Sequence, residues 1–201
     1  MTRLILVRHG ETEWNSDLVY RGHSDVRLSP RGRWQAERLG IRLARENVSA
    51  IYSSPLSRAR ETADSIGHAT GLTVIDEPRL IDLDCGEWEG LSTEEVKRRY
   101  PELSRLWLTS PQLVRLPGGE SLDDVAQRVS SVLDDVLQKD GVMVLVSHRV
   151  VHKVAICALL GIGNSGTWQV QMDLAGITVF ERIAGRNVLM SHNETSHLSE
   201  E

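Results

Sequence analysis

Residues 4–15 read LILVRHGETEWN, and their reading decides the fold. Four apolar residues, Leu4 to Val7, run directly into Arg8, His9 and Gly10, after which acidic and polar positions begin. A short apolar run without alternation marks a strand covered on both faces, as in the middle of a parallel sheet. Ligands of open α/β sheets bind just beyond the carboxyl ends of such strands. The arginine and the histidine therefore stand where a ligand would be met.

Further short runs at 50–52, 73–75, 142–146, 177–182 and 188–191 read as strands, and VMVLV at 142–146 has the same doubly buried character. Between them lie helical patterns with readable starts. Ser29 supplies a cap and Pro30 suits the first helical position, and Ser54-Pro55 repeats the device. Ser92 to Glu95 has the spacing of a capping box. Leu122, Val125, Val129, Val132, Val136 and Leu137 mark one apolar helical face. Residues 100–119, with three prolines and Trp107, read as a surface excursion around short helical turns. The alternation predicts an α/β fold, a three-layer sandwich with a mostly parallel central sheet and helices on both faces. One domain over residues 1–201 is expected.

Composition narrows the function classes. Apolar content of 40% and charged content of 25% are ordinary for a soluble globular chain. A net charge of −5 argues against nucleic acid as a partner. The two cysteines, Cys85 and Cys157, make no disulfide framework and read as reduced thiols. The N-terminal apolar run is too short for a signal peptide, and the apolar stretch at 150–162 is too short for a span and carries His152 and Lys153. No membrane partner and a cytoplasmic location are expected.

The chemistry gathers at strand ends. The first strand delivers Arg8 and His9; the second delivers Ser53 and Ser54, followed by Arg58 and Arg60. The stretch after residue 80 brings Asp82 and Asp84, with Glu87 and Glu89 beyond, and the VMVLV strand brings Ser147, His148 and Arg149. Planar guanidinium groups match phosphoryl oxygens with paired hydrogen bonds, which suits Arg8 and Arg58. A neutral imidazole can attack phosphorus, and Gly10 after His9 allows close approach of backbone and substrate. His148 can stabilise the developing charge, and a carboxylic acid must protonate the leaving oxygen.

Five blocks in order, LVRHGETEWN, SSPLSRARETA, LIDLDCGEWEG, GGESLDDVAQRV and VSHRV, resemble the histidine phosphatase superfamily, in its phosphoglycerate-mutase-like branch. The resemblance implies a phosphohistidine formed on His9, with Arg8, Arg58 and His148 completing a phosphate pocket. It implies a phosphate-binding role for Asn15 and a substrate-facing turn at Arg21-Gly22, where Arg21 replaces the glutamine or other polar residue common in relatives.

The chain departs from the family pattern at three places. Asp82 stands where relatives carry a glutamate proton donor, and its shorter side chain leaves Asp84 and Glu87 as alternatives. Arg149 follows His148 where many relatives have glycine. Cys85 occupies a position at which the phosphoserine phosphatases of the family tend to carry histidine against the substrate carboxylate. His148 and His152 are four apart, yet Arg149 stands where an H-E-x-x-H site has its glutamate, so no metal and no cofactor is expected.

The implied activity is a metal-independent phosphomonoesterase acting on a small phosphorylated metabolite. The alternatives are a phosphoglycerate-type phosphomutase and a non-catalytic phospholigand-binding domain. The short interval at 91–117 favours hydrolysis over a shielded mutase site. Asn193, Thr195 and His197 in the tail are expected near the site. Dimerisation is common in the family, and Trp107 and Trp168 are candidates for such an interface as well as for the core.

Overall fold

Four parallel strands carry the site in the computed structural model, which describes residues 2–13 and 19–199. The strands are β1 (Thr2–Arg8), β2 (Val48–Ser53), β3 (Val74–Asp76), β4 (Gly141–Ser147), β5 (Ile177–Ile183) and β6 (Arg186–Glu194). They form one sheet in the order β3-β2-β4-β1-β5-β6. The first four are mutually parallel, and β5 and β6 add an antiparallel edge. In register, Arg8 lies beside Ser147 and Ser53 beside Val146, so β1, β2 and β4 end at one edge.

Both faces of the sheet are covered. Leu4 and Leu6 of β1 face a core shared with Met143 and Leu145, whereas Ile5 and Val7 face the opposite core with Val144 and Val146. The helices α1 (Pro30–Leu43) and α2 (Ser57–Thr70) close the second face through Leu39, Leu43, Ala63 and Ile66. The first face is closed by α3 (Thr93–Arg99), α4 (Pro101–Thr109), α5 (Leu122–Leu137) and α6 (Arg149–Leu160). This is the three-layer α/β sandwich that the uninterrupted apolar strands require.

Helix starts follow the sequence signals with one exception. Ser29 accepts the Gly32 amide at 3.0 Å with Pro30 in the first turn. Ser92 accepts the Glu95 amide at 3.2 Å, half of the expected capping box, while the Glu95 carboxylate accepts from Arg99 at 2.6 Å; Ser121 with Asp124 forms a complete box. Ser54-Pro55, however, does not start α2, which begins at Ser57. The Asp25 carboxylate caps it from another loop, taking the Ser57 amide and hydroxyl at 2.7 Å each. The Ser54 hydroxyl is committed elsewhere. On α5 the buried face ends on Leu133 and Val136, with Leu137 only partly covered.

Residues 100–119 also differ from the expected surface excursion. Trp107 on α4 is 4% exposed, and Val114 and Leu116 are buried with it in the main core. Trp107 packs edge-on against Trp88 and Trp168, with ring centroids 6.3 and 5.1 Å away. Trp107 is therefore a core residue, one of the two places expected for it. Gly10 has a packing reason as well: a Cβ there would lie 2.6 Å from the Gly32 carbonyl. Its small size lets the turn after β1 lie on the first turn of α1. Among the described residues, no helix is long and apolar enough to cross a membrane.

Candidate active site

His9 follows β1 with its backbone held on both sides. Its amide donates to the Ser147 carbonyl at 3.0 Å, and its carbonyl accepts from the Ala175 amide at 3.2 Å. The next amide, Gly10, donates to Thr62 Oγ1 at 3.1 Å. His9 Nδ1 lies 2.7 Å from the Gly10 carbonyl. A carbonyl can only accept, so Nδ1 carries the proton and Nε2 keeps its lone pair.

His148 lies opposite, with ring centroids 5.2 Å apart. It follows β4, as the VMVLV-Ser-His order predicted, and occupies the N-cap position of α6. Its Nδ1 accepts from Arg58 Nε at 3.2 Å, so Nε2 carries the proton and donates it to Ser54 Oγ at 2.8 Å. Ser54 is therefore an orienting partner of the second histidine.

Arg58 is wholly buried on α2 and organises the pocket. Besides His148 it donates to the Ser24 carbonyl at 2.8 Å, the Gly22 carbonyl at 2.9 Å and Asp82 Oδ2 at 3.1 Å. Arg8 reaches the Met172 carbonyl through Nη1 at 2.8 Å, and among the described residues nothing accepts from its buried Nε.

The electrostatics disfavour further positive charge. Burial, then His148, Arg58 and Arg8, hold the His9 imidazolium well below the usual range. His148 is lowered likewise, by burial and then by Arg58. Arg8 itself falls to about 9, first through burial and then through Arg149, with Arg21 adding to the effect. Two neutral imidazoles thus stand beside the guanidinium groups of Arg8 and Arg58, and among the described residues Asp82 is the carboxylate that reaches Arg58. Such a site suits a small, multiply charged anion.

Of the four acidic candidates, Asp82 contacts this cradle. Its Oδ2 lies 3.1 Å from Arg58 and 3.5 Å from His148 Nδ1, while Oδ1 accepts its neighbour Leu83's amide at 2.9 Å. Asp84 turns back on the Gly86 amide at 2.8 Å, and Glu87 takes the Tyr100 hydroxyl at 2.7 Å. Glu89 accepts the His23 amide at 2.6 Å and the Ser24 hydroxyl at 3.2 Å, bracing the turn that holds Arg58.

A cavity of about 390 Å³ opens above His9, Arg8 and Asp82. Arg21, Gly22, Cys85 and Arg149 line it, with Trp107, Leu108 and Trp168 as the apolar wall. Arg149 lies 5.9 Å from the Trp168 ring, and among the described residues no carboxylate pairs with it. Burial, then Asp82, pushes the Cys85 thiol up, so it offers a neutral sulfur.

The comparisons with known proteins fall on this geometry. The sequence profile of the Histidine phosphatase superfamily (branch 1) matches residues 4–195. The chain belongs to the histidine phosphatase superfamily. This histidine phosphatase is 44% identical to phosphoserine phosphatase 1 of Hydrogenobacter thermophilus, covering 100% of the chain and 96% of the relative. Among solved structures it is similar to a phosphoserine phosphatase mutant from Entamoeba histolytica in complex with phosphoserine. That match has a TM-score of 0.89 at 32% identity, over 99% of this chain and 100% of the other. Bacillus stearothermophilus YhfR matches with a TM-score of 0.92 at 31% identity, over 99% and 100% of the two chains. The protein is a phosphoric monoester hydrolase acting on small phosphorylated substrates.

The histidine phosphatase brings together most, though not all, of the residues singled out in its sequence. Arg8, His9, Arg58, Asp82 and His148 meet in the cradle, and Arg21, Gly22, Cys85 and Arg149 line the cavity above it. Asn15 lies outside the described residues. Arg60 is turned to Asp64 and Asp76 at the surface. His152 donates Nε2–H to the Val7 carbonyl at 2.8 Å behind the cradle. In the tail, Thr195 lines a broad depression beside Arg8, whereas Asn193 is tied to Asp173 and His197 is buried in the turn after β6, its carbonyl accepting from Arg38 of α1 at 3.0 Å. Sequence reading did not assign Thr62 or the Glu120–Arg128 pair, although GGESLDDVAQRV contains the latter.

Proposed function

We propose that this phosphatase hydrolyses small phosphomonoesters through a phosphohistidine on His9, with Asp82 as general acid and then general base. The observation that carries the reading is the 2.7 Å contact of His9 Nδ1 with the Gly10 carbonyl, which leaves Nε2 unprotonated with its lone pair free in a cationic pocket. Nε2 attacks phosphorus as the ester P–O bond breaks, and Asp82 gives its proton to the departing oxygen. A water molecule then attacks the phosphohistidine, gives a proton to Asp82, and the P–N bond breaks to release inorganic phosphate. Arg8 and Arg58 hold the phosphoryl oxygens and offset their charge throughout, and His148 adds to that stabilisation by turning its Nε2–H from Ser54 Oγ to a phosphoryl oxygen. None of these steps calls on a metal.

The substrate is a small metabolite with a second anionic group near its ester. Arg149 and Arg21 line the cavity beyond the phosphoryl cradle, and the similarity to phosphoserine phosphatases supports a carboxylate there. Cys85 contributes no charge, so Arg149 carries the recognition that histidine gives in phosphoserine-specific relatives. Transfer to water, rather than back to a second hydroxyl, is supported by the short interval between the acid loop and α5, which holds only α3, α4 and a turn. The unit that does this is one domain over residues 1–201.

Replacing His9 tests the reading. His9→Ala should abolish turnover of p-nitrophenyl phosphate while retaining binding of inorganic phosphate. Turnover within about tenfold of wild type would remove His9 from the nucleophile's role, since loss of a covalent step costs far more.

A further inference from the structure

We propose that Arg128 is a positioning residue that fixes the backbone of the acid loop, so that the short side chain of Asp82 reaches the leaving oxygen. The inference rests on Asp82 being the general acid, as read above. Arg128 stands on α5, and all five of its N–H groups are engaged. Nε donates to Glu120 Oε1 at 3.0 Å and Nη2 to Glu120 Oε2 at 3.0 Å, a bidentate pair. Nη1 serves the carbonyls of Arg79 and Ile81 at 2.7 Å each, and Nη2 also serves the carbonyl of Asp82 at 3.0 Å.

Glu120 extends the hold. Its Oε2 accepts the Asp84 amide at 3.0 Å, and its own amide donates to the Asp84 carbonyl at 3.0 Å. One ion pair thus grips the loop at residues 79, 81, 82 and 84, on both sides of the carboxylate. The pair is mostly withdrawn from solvent, with side-chain exposures of 16% and 22%. The Asp82 carbonyl receives a further donor, His23 Nε2, at 2.9 Å.

The reason for so complete a grip lies in the side chain it serves. A glutamate can adjust its reach through one more torsion than an aspartate. The Asp82 carboxyl goes where the backbone puts it, and a displacement of about 1 Å can cost on the order of a hundredfold in rate. A lysine at 128 would keep the charge yet lose the planar fork and two of the five donors. The charge of Arg128 is also felt at His148, which places it within electrostatic reach of the cradle.

The test is the dependence of kcat/KM on the leaving group, measured for alkyl and aryl phosphomonoesters with wild type, Arg128→Lys and Asp82→Asn. Alkoxides need a proton from the acid, whereas nitrophenolate hardly does. Arg128→Lys should lose about 10- to 100-fold on alkyl esters and no more than about threefold on p-nitrophenyl phosphate, steepening the series as Asp82→Asn does.

An equal loss on every ester, with Asp82→Asn steep, would overturn the proposal and leave Arg128 a merely structural residue. A flat series for Asp82→Asn would bring down the reading of Asp82 itself, and the proposal with it. If Arg128→Lys does not fold by circular dichroism, Glu120→Gln, which keeps an acceptor for Arg128, carries the same test. It should steepen the series about three- to tenfold, and a leaving-group dependence equal to that of wild type would overturn the proposal.

Discussion

Arg58 Nη2 lies 3.1 Å from Asp82 Oδ2, and Nε of the same guanidinium donates to His148 Nδ1 at 3.2 Å. One buried cation therefore holds both the acid and the second histidine. In the proposed reaction the phosphoryl oxygens would meet the same guanidinium that holds Asp82. On that proposal, binding of the phosphoryl group and placement of the acid would depend on one side chain.

The acid assignment separates two neighbours. Asp82→Asn should lower kcat/KM for alkyl phosphomonoesters by about 100-fold or more, whereas Asp84→Asn should cost less than about fivefold. Asp84 is committed to the Gly86 amide at 2.8 Å. Steady-state kinetics on the two purified variants decides it, and equal mild losses would remove Asp82 from the role.

Stability should fall on the acid side of neutrality. His152 is lowered from 6.5 to about 4, chiefly by burial, so the unfolded chain takes up its proton before the folded one does. The contribution is fully present above pH 6.5 and is lost as pH falls toward 4, an order-of-magnitude effect of about 3 kcal/mol. His152→Gln, which retains a donor for the Val7 carbonyl, should flatten thermal stability between those pH values by roughly 6–12 °C relative to wild type. Parallel melting curves for the two proteins would contradict this.

Selectivity for a second anionic group should rest on Arg149. Phosphoserine and phosphoethanolamine differ by one carboxylate. Arg149→Ala should reduce the ratio of their kcat/KM values by about tenfold, the worth of one charge-assisted contact, with phosphoethanolamine hydrolysis little changed. An unaltered ratio would place the recognition elsewhere in the cavity.

The parts of the site legible in the sequence are those whose local pattern has one meaning. Leu4 to Val7 has no alternation, so it had to be covered on both faces, and His9 had to emerge at the sheet edge. Ser54 was misread because Ser-Pro before a helical pattern signals a cap; its hydroxyl instead serves a histidine 94 residues away. Trp107 sits in a proline-rich stretch that gives no period, and its burial comes from two other tryptophans distant in sequence.

Asp82, Asp84 and Glu87 were indistinguishable by spacing. Their separation comes from partners in other segments: Arg58 for the first, the turn at Gly86 for the second and Tyr100 for the third. Arg128 was invisible for a related reason. An arginine on an amphipathic helix reads as a solvated charge, and only the fold brings three carbonyls of another loop to it.

The covalent step is tested most directly by rapid acid-free quenching of the enzyme during turnover of a radiolabelled phosphomonoester. Wild type should yield a phosphoprotein labile to acid and stable to base, with the label mapping by mass spectrometry to the peptide containing His9, and His9→Ala should yield none. An active enzyme that accumulates no such adduct in burst-phase experiments, or that carries the label on another side chain, would contradict phosphoryl transfer through His9.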